Sequence, residues 1–119
     1  MRRVIFCGSR HWTDAATIAR WIDALPPDTT VITGGARGAD AIAHRLAQQR
    51  GLPTEVYPAD WATYGRAAGP RRNAQMLATG VDAVYAFRLP GASPGTDDMI
   101  RQARAAHIPV KCLMPEGSV

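Results

Sequence analysis

Five short runs rich in β-branched, aromatic and other apolar residues punctuate this chain, at residues 4–7, 30–33, 54–57, 83–87 and 110–113. They do not alternate strictly between apolar and polar positions. Near-continuous apolar runs of this length are expected when both faces of a parallel sheet are covered. Between them lie stretches of helical spacing, at residues 14–25, 39–50, 70–79 and 96–106. The first has a capping residue at Thr13 or Asp14 and ends before Pro26-Pro27, which no helix continues through. The second places Ala39, Ile42, Ala43, Leu46 and Ala47 on one stripe and stops at Gly51. The last does the same with Met99, Ile100, Ala103 and Ala106 before Pro109. Strand–helix alternation of this kind predicts an α/β fold: a parallel sheet, right-handed crossovers and helices on both faces, hence three layers. One stretch, residues 58–69, has no clear period and reads as a long functional connection.

A length of 119 residues predicts one core, reaching to about residue 114, with 115–119 as a C-terminal tail. Hydrophobic residues at 46% and charged residues at 20% exclude a disordered chain. No apolar run approaches the roughly 18–20 residues that span a bilayer, and no membrane partner is expected. The opening Met1-Arg2-Arg3 is followed by an apolar stretch shorter than a signal peptide needs, which predicts a soluble cytoplasmic protein. Cys7 and Cys112 both fall in strand-like runs without a metal-spaced companion and read as buried free thiols. His11, His44 and His107 likewise lack ligand-spaced neighbours, so neither a metal nor a cofactor is expected. The net charge is +4, and every cation except Lys111 is arginine, the residue suited to bidentate capture of phosphate or carboxylate. Charge alone does not separate an anionic partner from simple solubility; position decides.

In an open parallel sheet, ligands bind where the turns leave the carboxyl ends of the strands. Four such turns carry unusual residues. Gly8-Ser9-Arg10 follows the first strand, and Gly34-Gly35-Ala36-Arg37-Gly38-Ala39-Asp40 follows the second. Asp60-Trp61 and then Gly69-Pro70-Arg71-Arg72-Asn73 follow the third; Gly95-Thr96-Asp97-Asp98 follows the fourth. Glycines at 34, 35 and 38 allow positive φ and close backbone approach, and the helix behind them offers unpaired amides. Together these predict a phosphate seat, with a second oxyanion seat at Gly95-Thr96. The spacing matches neither a P-loop nor a dinucleotide-binding fingerprint. Asp40 either complements the helix dipole or takes a ribose hydroxyl. Trp61 and Trp12 are each divided between stacking on a base and ordinary packing, while Trp21 reads as core.

These five ordered blocks, with Met76 after Asn73, resemble the YspA/YpsA-related branch of the SLOG superfamily. That superfamily unites the Smf/DprA DNA-processing proteins with the LOG phosphoribohydrolases. The resemblance runs from Val4 to about Leu113 and implies a Rossmann-like sheet of order 3-2-1-4-5 with a site for a nucleotide or nucleotide-derived ligand. It also implies homodimer formation through helices flanking the sheet. Carried over by position, the LOG arginine on the third helix falls on Arg72, while the acid of the LOG loop falls on Met99, which cannot serve as one.

The reading favoured by the sequence is therefore binding of a nucleotide or an ADP-ribose-like molecule. Its contacts are Gly8, Ser9, Arg10, Gly34, Gly35, Arg37, Gly38, Asp40, Trp61, Arg72, Asn73, Gly95 and Thr96. A nucleotide hydrolase or transferase using Asp40, Asp60 or Asp98 as acid–base group ranks second. A single-stranded nucleic-acid module ranks third, because aromatics are only 7% of the chain and look unclustered.

Overall fold

The structure is a computed structural model, and it describes residues 2–115. Residues 116–119 of the expected tail lie outside that range. Ten elements follow the alternation of the sequence: β1 (Arg2–Gly8), α1 (Ala15–Asp23), β2 (Thr29–Thr33), α2 (Ala39–Gln49), β3 (Thr54–Val56), α3 (Trp61–Tyr64), α4 (Ala68–Ala78), β4 (Ala83–Phe87), α5 (Pro94–Ala105) and β5 (Val110–Leu113). The strands form one parallel sheet in the order β3-β2-β1-β4-β5, the Rossmann-like arrangement that the resemblance implies.

Side-chain alternation along each strand splits the core into two layers. Val4, Phe6, Val31 and Phe87 pack under α1 and α2 with Ile18, Ile22, Ala39, Ala43 and Ala47. Ile5, Cys7, Ile32, Val84 and Ala86 face the other way, against Met76 of α4 and Met99 and Ala103 of α5. The central strands are thus apolar on both faces, which is why their sequence runs are continuous. Met99 is part of this core, consistent with its inability to serve as an acid.

Trp12 resolves to packing. Its ring meets Phe87 edge-on at 5.5 Å and its Nε1 donates to the Asp14 carbonyl at 2.8 Å, so it is unavailable for stacking. Trp21 is only half-buried, with Lys111 Nζ 4.3 Å above its ring. Asp14, rather than Thr13, caps α1 by accepting from the Thr17 amide at 3.1 Å. Cys112 corrects the expectation of two buried thiols. Cys7 is buried, whereas Cys112 is exposed, because β5 is an edge strand and its outer face is only partly covered. Residues 58–69 are also more ordered than their sequence suggests, folding into α3 and a 3-10 turn, Gly65–Ala67. Among the described residues no helix is long and apolar enough to cross a membrane.

Candidate functional site

The parallel registers end together, pairing Gly8 with Phe87, Thr33 with Val56, and Phe87 with Leu113. The turns that follow therefore share one rim. Ser9 anchors the first of them: its amide donates to the Phe87 carbonyl at 2.9 Å, and its carbonyl accepts from Ala39 at the start of α2 at 3.1 Å. Gly38, at φ +76°, lies so close to this turn that a Cβ there would overlap the Ser9 carbonyl and the Arg10 backbone. Gly8 is equally constrained, since a Cβ would run into the Phe87 carbonyl and come within 2.8 Å of the Ala39 side chain. The turns after β1 and β2 are thus packed against each other, and the first of them against the end of β4; only glycine permits the contacts.

The turn after β2 is shaped by one acid and one base. Asp40 is 4% exposed, and its Oδ2 accepts from the Gly34 amide at 2.9 Å and the Ala36 amide at 3.4 Å. From the other side, Arg72 Nη1 donates to the Gly34 carbonyl at 2.8 Å and to the Tyr57 carbonyl at 3.4 Å. A Cβ on Gly34 would overlap the Arg72 guanidinium, so glycine is what lets the cation settle on the backbone. With those two amides taken, the amides of Gly35, Arg37 and Gly38 have no protein acceptor among the described residues. Gly35 is exposed and at φ +73°. This is a run of unpaired donors at the N-terminal end of α2, an arrangement that favours anions.

Burial pushes the Asp40 carboxyl up to about 6; the Ala36 amide, the nearby Arg72 charge and the Gly34 amide oppose that rise. Beneath the rim, burial raises the Cys7 thiol far above the range of a reactive thiolate.

Asn73 links the second turn to the fourth. Its Oδ1 accepts from Arg72 Nε at 3.0 Å, and its Nδ2 donates to the Gly95 carbonyl at 3.2 Å and Asp98 Oδ2 at 3.0 Å. A continuous chain, Gly34–Arg72–Asn73–Gly95, therefore joins both glycine turns. Thr96 is buried in the first turn of α5, which begins at Pro94, two residues earlier than its spacing suggests. Arg88 braces this turn through Nε to Asp97 Oδ1 at 2.7 Å and Nη2 to the Gly91 carbonyl at 3.0 Å.

The three candidate acids each serve the scaffold. Asp40 holds the second turn. Asp98 accepts from Asn73, from Gln102 Nε2 at 2.7 Å and from Arg101. Asp60 caps α3, accepting from the Thr63 amide at 3.2 Å. Trp61, half exposed, lies on the rim with the Arg10 guanidinium 5.9 Å from its ring centroid. Tyr64 and Arg71 are not among the contacts expected from the sequence, although Arg71 lies in one of its blocks: Tyr64 is 44% exposed and carries the Arg71 guanidinium 4.0 Å from its ring centroid. The available signal was the recurrence of an aromatic three residues after Trp61. These two residues line a hollow of about 570 Å³ beside Arg72. Another hollow, of about 540 Å³, lies between α5 and β5; Arg88 and Asp97 line it, and no residue of the first two glycine turns does.

A sequence profile of the YspA, cpYpsA-related SLOG family matches residues 2–64, over half of the chain and both of the first two glycine turns. The chain belongs to that family. It is similar to the Gene 61 protein of Mycobacterium phage D29, 44% identical over 92% of this chain and 94% of that protein. The SLOG fold is matched by DNA processing protein A (DprA) from Streptococcus pneumoniae, at a TM-score of 0.57 and 17% identity. That superposition covers 92% of this chain and 58% of the DprA chain, so this chain spans little more than half of it.

Proposed function

We propose that this protein binds a nucleotide or nucleotide-derived ligand at the carboxyl rim of its sheet. A phosphate sits on the free amides of the 34–38 turn, beside Arg72. The observation that carries this reading is the double clamp on Gly34: Asp40 and Arg72 fix the turn and leave the amides of Gly35, Arg37 and Gly38 without protein acceptors. Arg72 is held only by oxygens of Gly34, Tyr57 and Asn73, so its charge has no carboxylate partner among the described residues. Arg10 supplies a second cation, and Trp61 a flat exposed face for a base. Family membership supports the same reading, since the SLOG group is one of nucleotide-related sites. Asp40 acts from beneath as a positioning residue.

Titration calorimetry against the four nucleoside monophosphates, ADP-ribose and inorganic phosphate tests this. Binding at micromolar to sub-millimolar strength, weakened at least tenfold by Arg72→Ala, is expected. No heat above background for any of them contradicts the proposal.

A second reading, a surface for single-stranded nucleic acid, is favoured by the two exposed aromatics that each carry an arginine, a pairing used in strand binding. Its signature is a fall in strand affinity with salt, of slope about −0.7 per phosphate neutralised. A flat slope excludes it.

A further inference from the structure

The hollow beside Arg72 is a separate space from the phosphate seat, and Arg72 is the wall between them. On one side its Nη1 rests on the Gly34 carbonyl; on the other the same side chain lines the hollow with Asp60, Tyr64, Ala68, Arg71 and Gln75. The four-residue helix α3 straddles this wall. Trp61 lies toward Arg10, and a Cβ on Gly69 would come 3.4 Å from its ring; it does not line the hollow. Tyr64, three residues later, does line it, with the Arg71 guanidinium 4.0 Å from its ring centroid.

The lining has the chemistry of a nucleoside site. The Tyr64–Arg71 stack offers a guanidinium face that a base can extend. Ala74 and Ala78, on the exposed face of α4, leave room for a flat ring, while Gln75 offers both donor and acceptor to a base edge. Arg71 and Arg72 outnumber the one acid, Asp60, which already caps α3. A volume of about 570 Å³ falls within the range of small-molecule sites.

Building on the reading of the rim as a nucleotide site, we infer that this hollow is a second nucleoside subsite. The natural ligand then contains two nucleosides joined through phosphate, with the bridging phosphate against Arg72. The linkage is either a phosphodiester, as in a strand, or a diphosphate, as in a free dinucleotide.

The test compares AMP, the 5′-phosphorylated dinucleotide pApA and diadenosine diphosphate by calorimetry, on wild type and on Tyr64→Ala and Arg71→Ala. At least one dinucleotide is expected to bind tenfold or more tightly than AMP. Each substitution is expected to abolish that advantage and leave AMP affinity within twofold. Preference for pApA assigns the phosphodiester source, and preference for diadenosine diphosphate the other. Dinucleotides binding no better than AMP, or substitutions that weaken AMP and dinucleotide by the same factor, overturn the subsite while leaving the mononucleotide site standing. Absence of binding by all three overturns both.

Discussion

Gly34 has its amide on an acid and its carbonyl on a base, and two glycines of the same turn respond differently to a methyl group. At Gly34 the backbone is ordinary and a Cβ meets only the far end of the flexible Arg72 side chain. Gly34→Ala is therefore expected to change stability by less than about 1 kcal/mol. It evicts the guanidinium and weakens phosphate binding at least tenfold. At Gly38 the φ of +76° and the overlap with the Ser9 and Arg10 backbone leave no such escape. Gly38→Ala is expected to cost about 3 kcal/mol, read by urea denaturation. Asp40 adds a pH signature. Its carboxyl titrates near 6 in the fold and near 3.8 when unfolded, so the folded state binds the proton more tightly and Asp40 favours folding most at low pH. That contribution fades as pH rises through 6. Relative to Asp40→Asn, the wild type should gain about 1 kcal/mol between pH 7 and pH 5. A constant difference between the two proteins would contradict the buried placement of this acid.

Among the elements, α4 connects the rim. Its Arg72 reaches the turn after β2 and its Asn73 the first turns of α5, so one helix ties the second glycine turn to the fourth. Asn73→Ala removes three hydrogen bonds of a buried amide and is expected to destabilise the fold by about 2 kcal/mol in chemical denaturation. Most elements were legible in the sequence because strands buried on both faces and striped helices leave periods that packing enforces. The strand order came from the family resemblance. What escaped has a physical cause in each case. α3 is four residues long and depends on the Asp60 cap, so it has no period to detect. Cys112 lies in an apolar run like Cys7, and a run does not reveal whether its strand is central or at the edge. The first two glycine turns were legible because positive φ at Gly35 and Gly38 and close contacts at Gly8 and Gly34 demand glycine. Tyr64 and Arg71 were not, because their contact crosses seven positions and two elements.

Across the whole molecule, two groups of arginines stand out. Arg3 pairs with Glu55, Arg88 with Asp97 and Arg101 with Asp98. Glu55 is held down to about 2 by the Arg3 guanidinium and by the Tyr57 hydroxyl, as befits a structural pair. By contrast, Arg10, Arg37, Arg71 and Arg72 have no carboxylate partner among the described residues, and they come from the turns and the helix around the carboxyl rim. These four guanidiniums thus bring positive charge to the rim that carries the free amides. An anion drawn there meets donors already in place, with little backbone rearrangement to oppose binding. The most direct test is an amide nuclear magnetic resonance titration of the wild-type protein with AMP. The largest shifts are expected at Gly35, Arg37 and Gly38, with smaller ones at Asn73 and Gly95. Shifts confined to the hollow between α5 and β5, or none at saturating nucleotide, would contradict the proposed phosphate seat.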